Sequence, residues 1–272
     1  SYSYSGEANL PADVLKTLPS DDKQYYPGEE VTVENPTATK VEIKGEGYYT
    51  FNGWTLNGAP VEGTTVTMPD SGLLELVGSW TYTPYINISE SADFAVTIGS
   101  DPTYNGTSQQ LKPTVTYKGE TLTKGTDYSV SYSGDTTNVT DDGVTVTITG
   151  LETAGFTGSK TVYYKINPAT LTAKVSVDEK TYDGTTTVTN PKVELEGVVG
   201  SDDVTATVDA DKVAFADANA GEDKKLVVGV DNIKLSGEQS GNYKVASVSG
   251  TGTINAATVD IDPDDPEKSS LD

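Results

Sequence analysis

The chain contains no cysteine, no histidine and no arginine, and among its 272 residues there are one methionine and two tryptophans. Without thiols there are no disulfides, no thiolate nucleophiles and no cysteine-ligated zinc or iron–sulfur centres. Without histidine the commonest general base and the commonest transition-metal ligand are missing, which excludes serine–histidine and cysteine–histidine hydrolases. Lysine supplies every positive charge, 18 in all, against 41 carboxylates, for a net charge of −23. Such a surface repels nucleic acid and anionic lipid, and it lacks the guanidinium fork that grips phosphate at two points. No apolar run approaches the ~18 residues that span a bilayer, so no membrane contact is expected of this segment. There is no secretion signal, and the segment reads as an excised part of a longer exported protein.

What is present is repetition. Thr103-Tyr104-Asn105-Gly106-Thr107 recurs as Thr181-Tyr182-Asp183-Gly184-Thr185, and Ile166-Asn167-Pro168-Ala169-Thr170 recurs as Ile254-Asn255-Ala256-Ala257-Thr258. Two echoes in the same order, each about one small domain apart, indicate tandem modules. The expected architecture is mostly β: a tandem elongated array of one small α+β module and two all-β modules of sandwich or β-grasp-like form. The divisions fall at 1–86, 87–167 and 168–257, followed by an acidic linker or tail over 258–272. Threonine-rich, cysteine-free modules of this kind fit a Gram-positive cell surface better than a disulfide-dependent secreted protein.

In the first stretch Leu10, Val14, Leu15 and Leu18 are spaced for one side of a short helix, with Pro11 at its start and Pro19 at its stop. Trp54 and Trp80 are read as core, because a module of under 90 residues buries too little surface to spare two tryptophans. Further on, Val144 to Ile148 alternates cleanly. Leu171, Ala173, Val175 and Val177 share one parity, and Leu226 to Val230 reads as another strand. Asn105-Gly106, Lys118-Gly119 and Asp142-Gly143 read as hairpin turns. Pro168 and Ala256 stand at module ends, so the joints are short and stiff.

These residues also resemble known families. Leu10-Pro11 with Val14, the Leu18-Pro19 stop, Tyr26 and Gly28, Phe51-x-Gly53-Trp54 and Gly78-Ser79-Trp80 resemble the SHIRT domain. Tyr104-Asn105-Gly106, Leu122-x-x-Gly125-Thr126-Asp127-Tyr128 and Gly158 before Tyr164-Lys165-Ile166 resemble the MBG-type repeat. The third stretch is similar to the YDG repeat. It carries Tyr182-Asp183-Gly184-Thr185-Thr186, Gly197-Val198-Val199 before Asp202-Asp203-Val204, Phe215-Ala216-Asp217 before Ala220-Gly221, and Gly241-Asn242-Tyr243. The resemblance implies a stalk or spacer of a bacterial surface adhesin, extracellular and wall-attached through regions outside this segment. It implies no catalytic residues, no cofactor and no metal.

Candidate sites are few. Tyr104, Asn105, Gly106, Tyr182, Asp183 and Gly184 are read as structural turns in which glycine supplies positive φ. Tyr25, Tyr26, Tyr48 and Tyr49 are the candidates for contact with a host glycan or protein. Otherwise the partners expected are neighbouring modules of a monomeric chain. Asp141-Asp142, Asp202-Asp203 and Asp260 to Glu267 invite calcium but lack a calcium-loop spacing. Lys174, Asn255 and Glu194 or Glu196 have the order needed for a lysine–asparagine cross-link, for which a capping role of Asn255 is the alternative.

Overall fold

The computed structural model describes residues 1–259, and the tail from Asp260, with its acidic run, lies outside the described residues. Packing divides the chain into two compact units: Ser1–Thr97, Pro113–Ser131 and Val146–Val162 in one, and Ile98–Lys112, Tyr132–Thr145 and the chain from Tyr163 in the other. The residues expected to form a middle module therefore contribute to both. The chain is mostly β, with the helical content a minor part. Among the described residues no helix is long and apolar enough to cross a membrane.

The first unit is organised by a sheet in the order Tyr2–Tyr4, Leu76–Pro84, Gly47–Leu56, Lys40–Ile43. Tyr2–Tyr4 runs parallel to Leu76–Pro84, and the other pairings are antiparallel. The ladder slips between Phe51 and Gly53, a bulge made possible by Gly53 at φ 109°, and this sets Trp54 opposite Gly78. A Cβ on Gly78 would lie 2.6 Å from the Phe51 ring and 2.8 Å from the Trp54 ring, so only glycine lets the indole lie across that strand. The core is Tyr4, Val14, Trp54 and Leu76, with Leu10, Leu15, Leu18, Phe51 and Trp80 packed against it. Trp54 Nε1 donates to the Glu34 carbonyl at 3.0 Å.

The expected helix shrinks to one turn, Ala12–Leu15. The Thr17 hydroxyl donates back to the Val14 carbonyl at 2.7 Å and lies 2.8 Å from the Tyr4 hydroxyl. That hydroxyl pair pins the turn to the sheet while competing with further helix. Val14 still reaches the core, fully buried.

Elsewhere in this unit Phe94–Thr97, Thr114–Tyr117 and Glu120–Thr121 form an antiparallel meander. Its tight turn places Lys118 and Gly119 both at positive φ, the backbone a two-residue hairpin demands. Ile86–Asn87 pairs in parallel with Phe156–Thr157, and Glu152 Oε1 accepts from the Gly45 amide at 3.0 Å. Phe156 packs edge-on to Phe94 and Tyr117. Tyr128–Ser133, Val144–Gly150 and Ser159–Tyr164 form a three-stranded sheet, and the division between units falls within each of them.

The second unit carries a sheet in the order Lys192–Glu196, Ala169–Ser176, Tyr243–Asn255, Gly221–Val227, Ala214–Phe215. Ala169, Leu171, Ala173 and Val175 face inward, in keeping with their parity. The central element is Tyr243–Asn255, parallel to Ala169–Ser176 and antiparallel to Gly221–Val227. Its glycines are packing devices: a Cβ on Gly252 would meet Val177 at 2.6 Å and Phe215 at 3.0 Å, and one on Gly250 would collide with the Val175 carbonyl. The expected strand over Leu226 to Val230 is displaced. The strand is Gly221–Val227, and Val230–Asn232 turns as a 3-10 helix. Ala173, Val175, Val213, Phe215, Leu226 and Ile254 close this core.

Candidate functional site

The two Tyr-Asx-Gly turns have one local geometry. Asn105 Oδ1 accepts from the Thr107 amide at 2.9 Å and its hydroxyl at 2.8 Å; Asp183 Oδ1 accepts from Thr185 at the same two distances. Gly106 and Gly184 sit at φ 76° and 77°. An Asx side chain bonded two residues ahead, followed by a left-handed glycine, is a self-contained turn. Neither closes a hairpin, contrary to the expectation for Asn105-Gly106. Instead the Tyr104 amide donates to the Asn167 carbonyl and the Tyr182 amide to the Asn255 carbonyl, each at 2.8 Å. The two echoing phrases of each repeat thus touch, which explains why they recur together.

What surrounds the turns differs. Tyr104 is 5% exposed. Its hydroxyl donates to Asp202 Oδ2 at 2.8 Å, and its ring meets Tyr243 edge-on with centroids 5.4 Å apart. The Tyr243 hydroxyl donates to the same carboxylate oxygen and accepts from the Val199 amide at 3.0 Å. Burial, and after it the hydrogen bond to Asp202, pushes the Tyr243 phenol up to about 12. The same two causes raise Tyr104. Beside them buried Asn242 accepts from the Val139 amide at 2.8 Å and donates to Asn138 Oδ1 at 2.9 Å. Asp202, Tyr243, Val199 and Asn242 come from stretches that the sequence shows once each, so repetition could not reveal that they converge. Of the Asp202-Asp203 pair, which invites calcium without the spacing of a calcium loop, Asp202 is the acceptor of both phenols.

Tyr182 is 46% exposed. Its turn is braced differently. Lys180 Nζ lies 2.8 Å from Asp183 Oδ1 and donates to the Thr185 hydroxyl at 2.9 Å, and chiefly this lysine draws the Asp183 carboxyl down to about 2.

The four tyrosine candidates of the first unit have different surroundings. Tyr25, with Tyr2, Asp21, Lys23, Met68 and Leu74, lines a cavity of about 360 Å³. The Tyr25 hydroxyl donates to Asp21 Oδ2 at 2.9 Å, which raises that phenol, and the Lys23 amide donates to Asp21 Oδ1 at 3.0 Å, which lowers the carboxyl. Tyr26 is exposed. The Tyr48 ring sits under Lys40 Nζ at 4.4 Å, and Tyr49 lies against Tyr82 at 4.9 Å. The candidates for the lysine–asparagine cross-link are not brought together. Lys174 pairs with exposed Glu196 and stands opposite Ser249 in the ladder, whereas Asn255 donates to Glu179 at 3.1 Å. Among the described residues no cluster of three or more acidic side chains is arranged to hold a metal ion.

No curated protein and no solved structure matches the chain. The two family matches flank its middle: the SHIRT domain model matches residues 2–83 and the YDG domain model matches residues 167–252, a combination consistent with a repeat-built, adhesin-like surface protein.

Proposed function

We propose that the chain is a spacer: a stalk segment of a bacterial surface adhesin that holds a binding domain away from the cell wall. In this reading residues 87–167 are an MBG-type module between the SHIRT and YDG domains. The segment is extracellular, belongs to a Gram-positive surface and catalyses nothing. The observation that carries the reading is the joint between Tyr104 and Asp202. A spacer must hold successive repeats in fixed relation, and a buried phenol of the first repeat bonded to a carboxylate of the second, both inside one compact unit, restrains them where a flexible linker would not. The net charge of −23 supports it as well, since strongly acidic stalks repel one another and stay soluble. Small-angle scattering tests the proposal. A stalk of three modules in file gives a radius of gyration of roughly 30 Å or more from strand rise. A value near the ~18 Å of a compact chain this size would overturn the reading.

A second reading, recognition of a host glycan or protein by the SHIRT domain, is favoured by the cavity beside Tyr25. Aromatic and charged groups converge there, as they do in ligand sites. On a glycan array the spacer reading expects silence. Saturable binding that disappears in Tyr25→Ala would establish recognition instead.

A further inference from the structure

We propose that the SHIRT domain docks a cationic peptide segment of a partner protein. An apolar side chain of that segment enters the cavity beside Tyr25. A basic side chain one or two residues away lies in the carboxylate groove next to it. This site rests on the recognition reading above and adds the class of partner; the spacer reading does not depend on it.

Two surfaces of opposite character meet here. Buried Val31, Leu74 and Leu76 form the floor of the cavity, Met68 and Tyr25 line it, and Leu73, 83% exposed, stands at its mouth. At about 360 Å³ the cavity is at the small end of ligand pockets, which run from ~300 to ~1,000 Å³. That volume suits one anchoring side chain, the element on which peptide affinity concentrates. The adjoining groove is lined by Asp21, Asp22, Lys23 and Glu34, and it shares Asp21 and Lys23 with the cavity. The Tyr2 hydroxyl, in the cavity, accepts from the Glu34 amide at 2.8 Å, which ties the two surfaces together.

The walls favour a peptide over a sugar. A saccharide requires polar groups placed to receive its hydroxyls. Here the Tyr25 hydroxyl already donates to Asp21 Oδ2, Asp21 Oδ1 already accepts from the Lys23 amide, and the Tyr2 hydroxyl is engaged by Glu34. What remains open in the cavity is mainly apolar surface, whose burial requires an apolar group. Charge then selects the sign of the neighbour. In the groove three carboxylates stand against one lysine, and the chain as a whole carries −23. A cationic segment is drawn in and an acidic one is repelled. A second copy of this chain is not the partner, because chains this acidic repel one another.

The test is a titration of the whole isotope-labelled chain with the blocked peptide acetyl-Gly-Phe-Gly-Lys-Gly-amide, read by amide chemical shifts. Saturable shifts confined to residues 20–35 and 66–76 are expected at millimolar peptide. Replacing the peptide's lysine by glutamate, or its phenylalanine by alanine, should weaken binding about tenfold. Leu73→Ser should weaken it about tenfold through lost apolar area, and Asp22→Asn about threefold through lost charge. Both side chains are exposed, so neither change threatens the fold. Equal binding of the glutamate peptide, shifts elsewhere on the chain, or no shifts at all would overturn the proposal. If no shifts appear, a saccharide captured on the array through Tyr25 would preserve recognition and exclude a peptide as its partner. Silence in both experiments would remove recognition altogether. Scattering from the same chain tests the spacer reading separately.

Discussion

Trp54→Ala will destabilise the first domain by about 3–5 kcal/mol, the range for removing a large buried aromatic. The indole is 5% exposed and sits within ring contact of Tyr2 at 4.9 Å, Phe51 at 5.0 Å and Tyr4 at 5.8 Å. Its removal leaves a void that the sheet cannot close, because the bulge at Phe51–Gly53 and the glycine at 78 have shaped the backbone to that ring. It also orphans the Glu34 carbonyl, which accepts the indole N–H. A domain of this size has only ~5–15 kcal/mol of stability, so the change consumes a large part of it. Trp54→Phe retains most of the apolar contact and loses the hydrogen bond, and should fall well short of that cost. Urea unfolding followed by Trp80, the remaining tryptophan, measures both. A loss below ~1 kcal/mol for the alanine variant would mean that the indole does not hold this core, since surface changes fall within that range.

Asp202→Ala is the second large effect. Two phenols donate to a single carboxylate oxygen, from Tyr104 and from Tyr243, and hydrogen bonds to charged groups contribute about 1.5–3 kcal/mol each. The pair shares one acceptor, so the costs do not add, and a total loss of about 2–4 kcal/mol is expected. Asp202→Asn keeps an acceptor and should lose less. The pH dependence follows from Tyr243, raised to about 12 chiefly by burial and then by its bond to Asp202. A phenol whose folded pKa exceeds its unfolded value of ~10 stabilises the fold below pH 10 and loses that contribution as pH rises through the folded value. The rise from ~10 unfolded to about 12 folded is worth about 2–3 kcal/mol, lost between about pH 10 and 12. In Asp202→Ala the bond and the nearby negative charge are gone while burial remains, so the Tyr243 phenol titrates lower. The stability gap between the two proteins should therefore narrow from about pH 9 to about pH 12. A gap that stays constant in denaturation curves across that interval would show that the carboxylate does not act through the phenols.

The strands that could be read directly are those whose inner face is apolar and branched. Val144, Val146 and Ile148 are fully buried on alternate positions, and Leu171, Ala173 and Val175 behave alike. Tyr243–Asn255 carried little such signal because serine and glycine occupy most of its middle. Its central place depends on Gly250 and Gly252 letting neighbouring backbone and rings approach, a demand set by partners far away in sequence. Gly221–Val227 carries Glu222, Asp223, Lys224 and Lys225 near its start, charged residues that read as loop, and the ladder to the central strand runs through Gly221, Lys224 and Lys225 with an irregularity between them.

The same contrast runs through the candidate sites. Four consecutive residues hold their own Asx bonds, so a Tyr-Asx-Gly-Thr turn is a local property, present whatever the turn faces. Whether its tyrosine is seated is decided 98 residues away, at Asp202 for Tyr104, and nothing nearby in sequence records it. Composition and alternation, being sums and short-range patterns, determined the β class, the acidic surface and the exclusion of thiol and imidazole chemistry. Which tyrosine is buried, which carboxylate receives it and which turn is left open were decided by tertiary packing alone, because hydrogen bonds and ring contacts depend on distance in space.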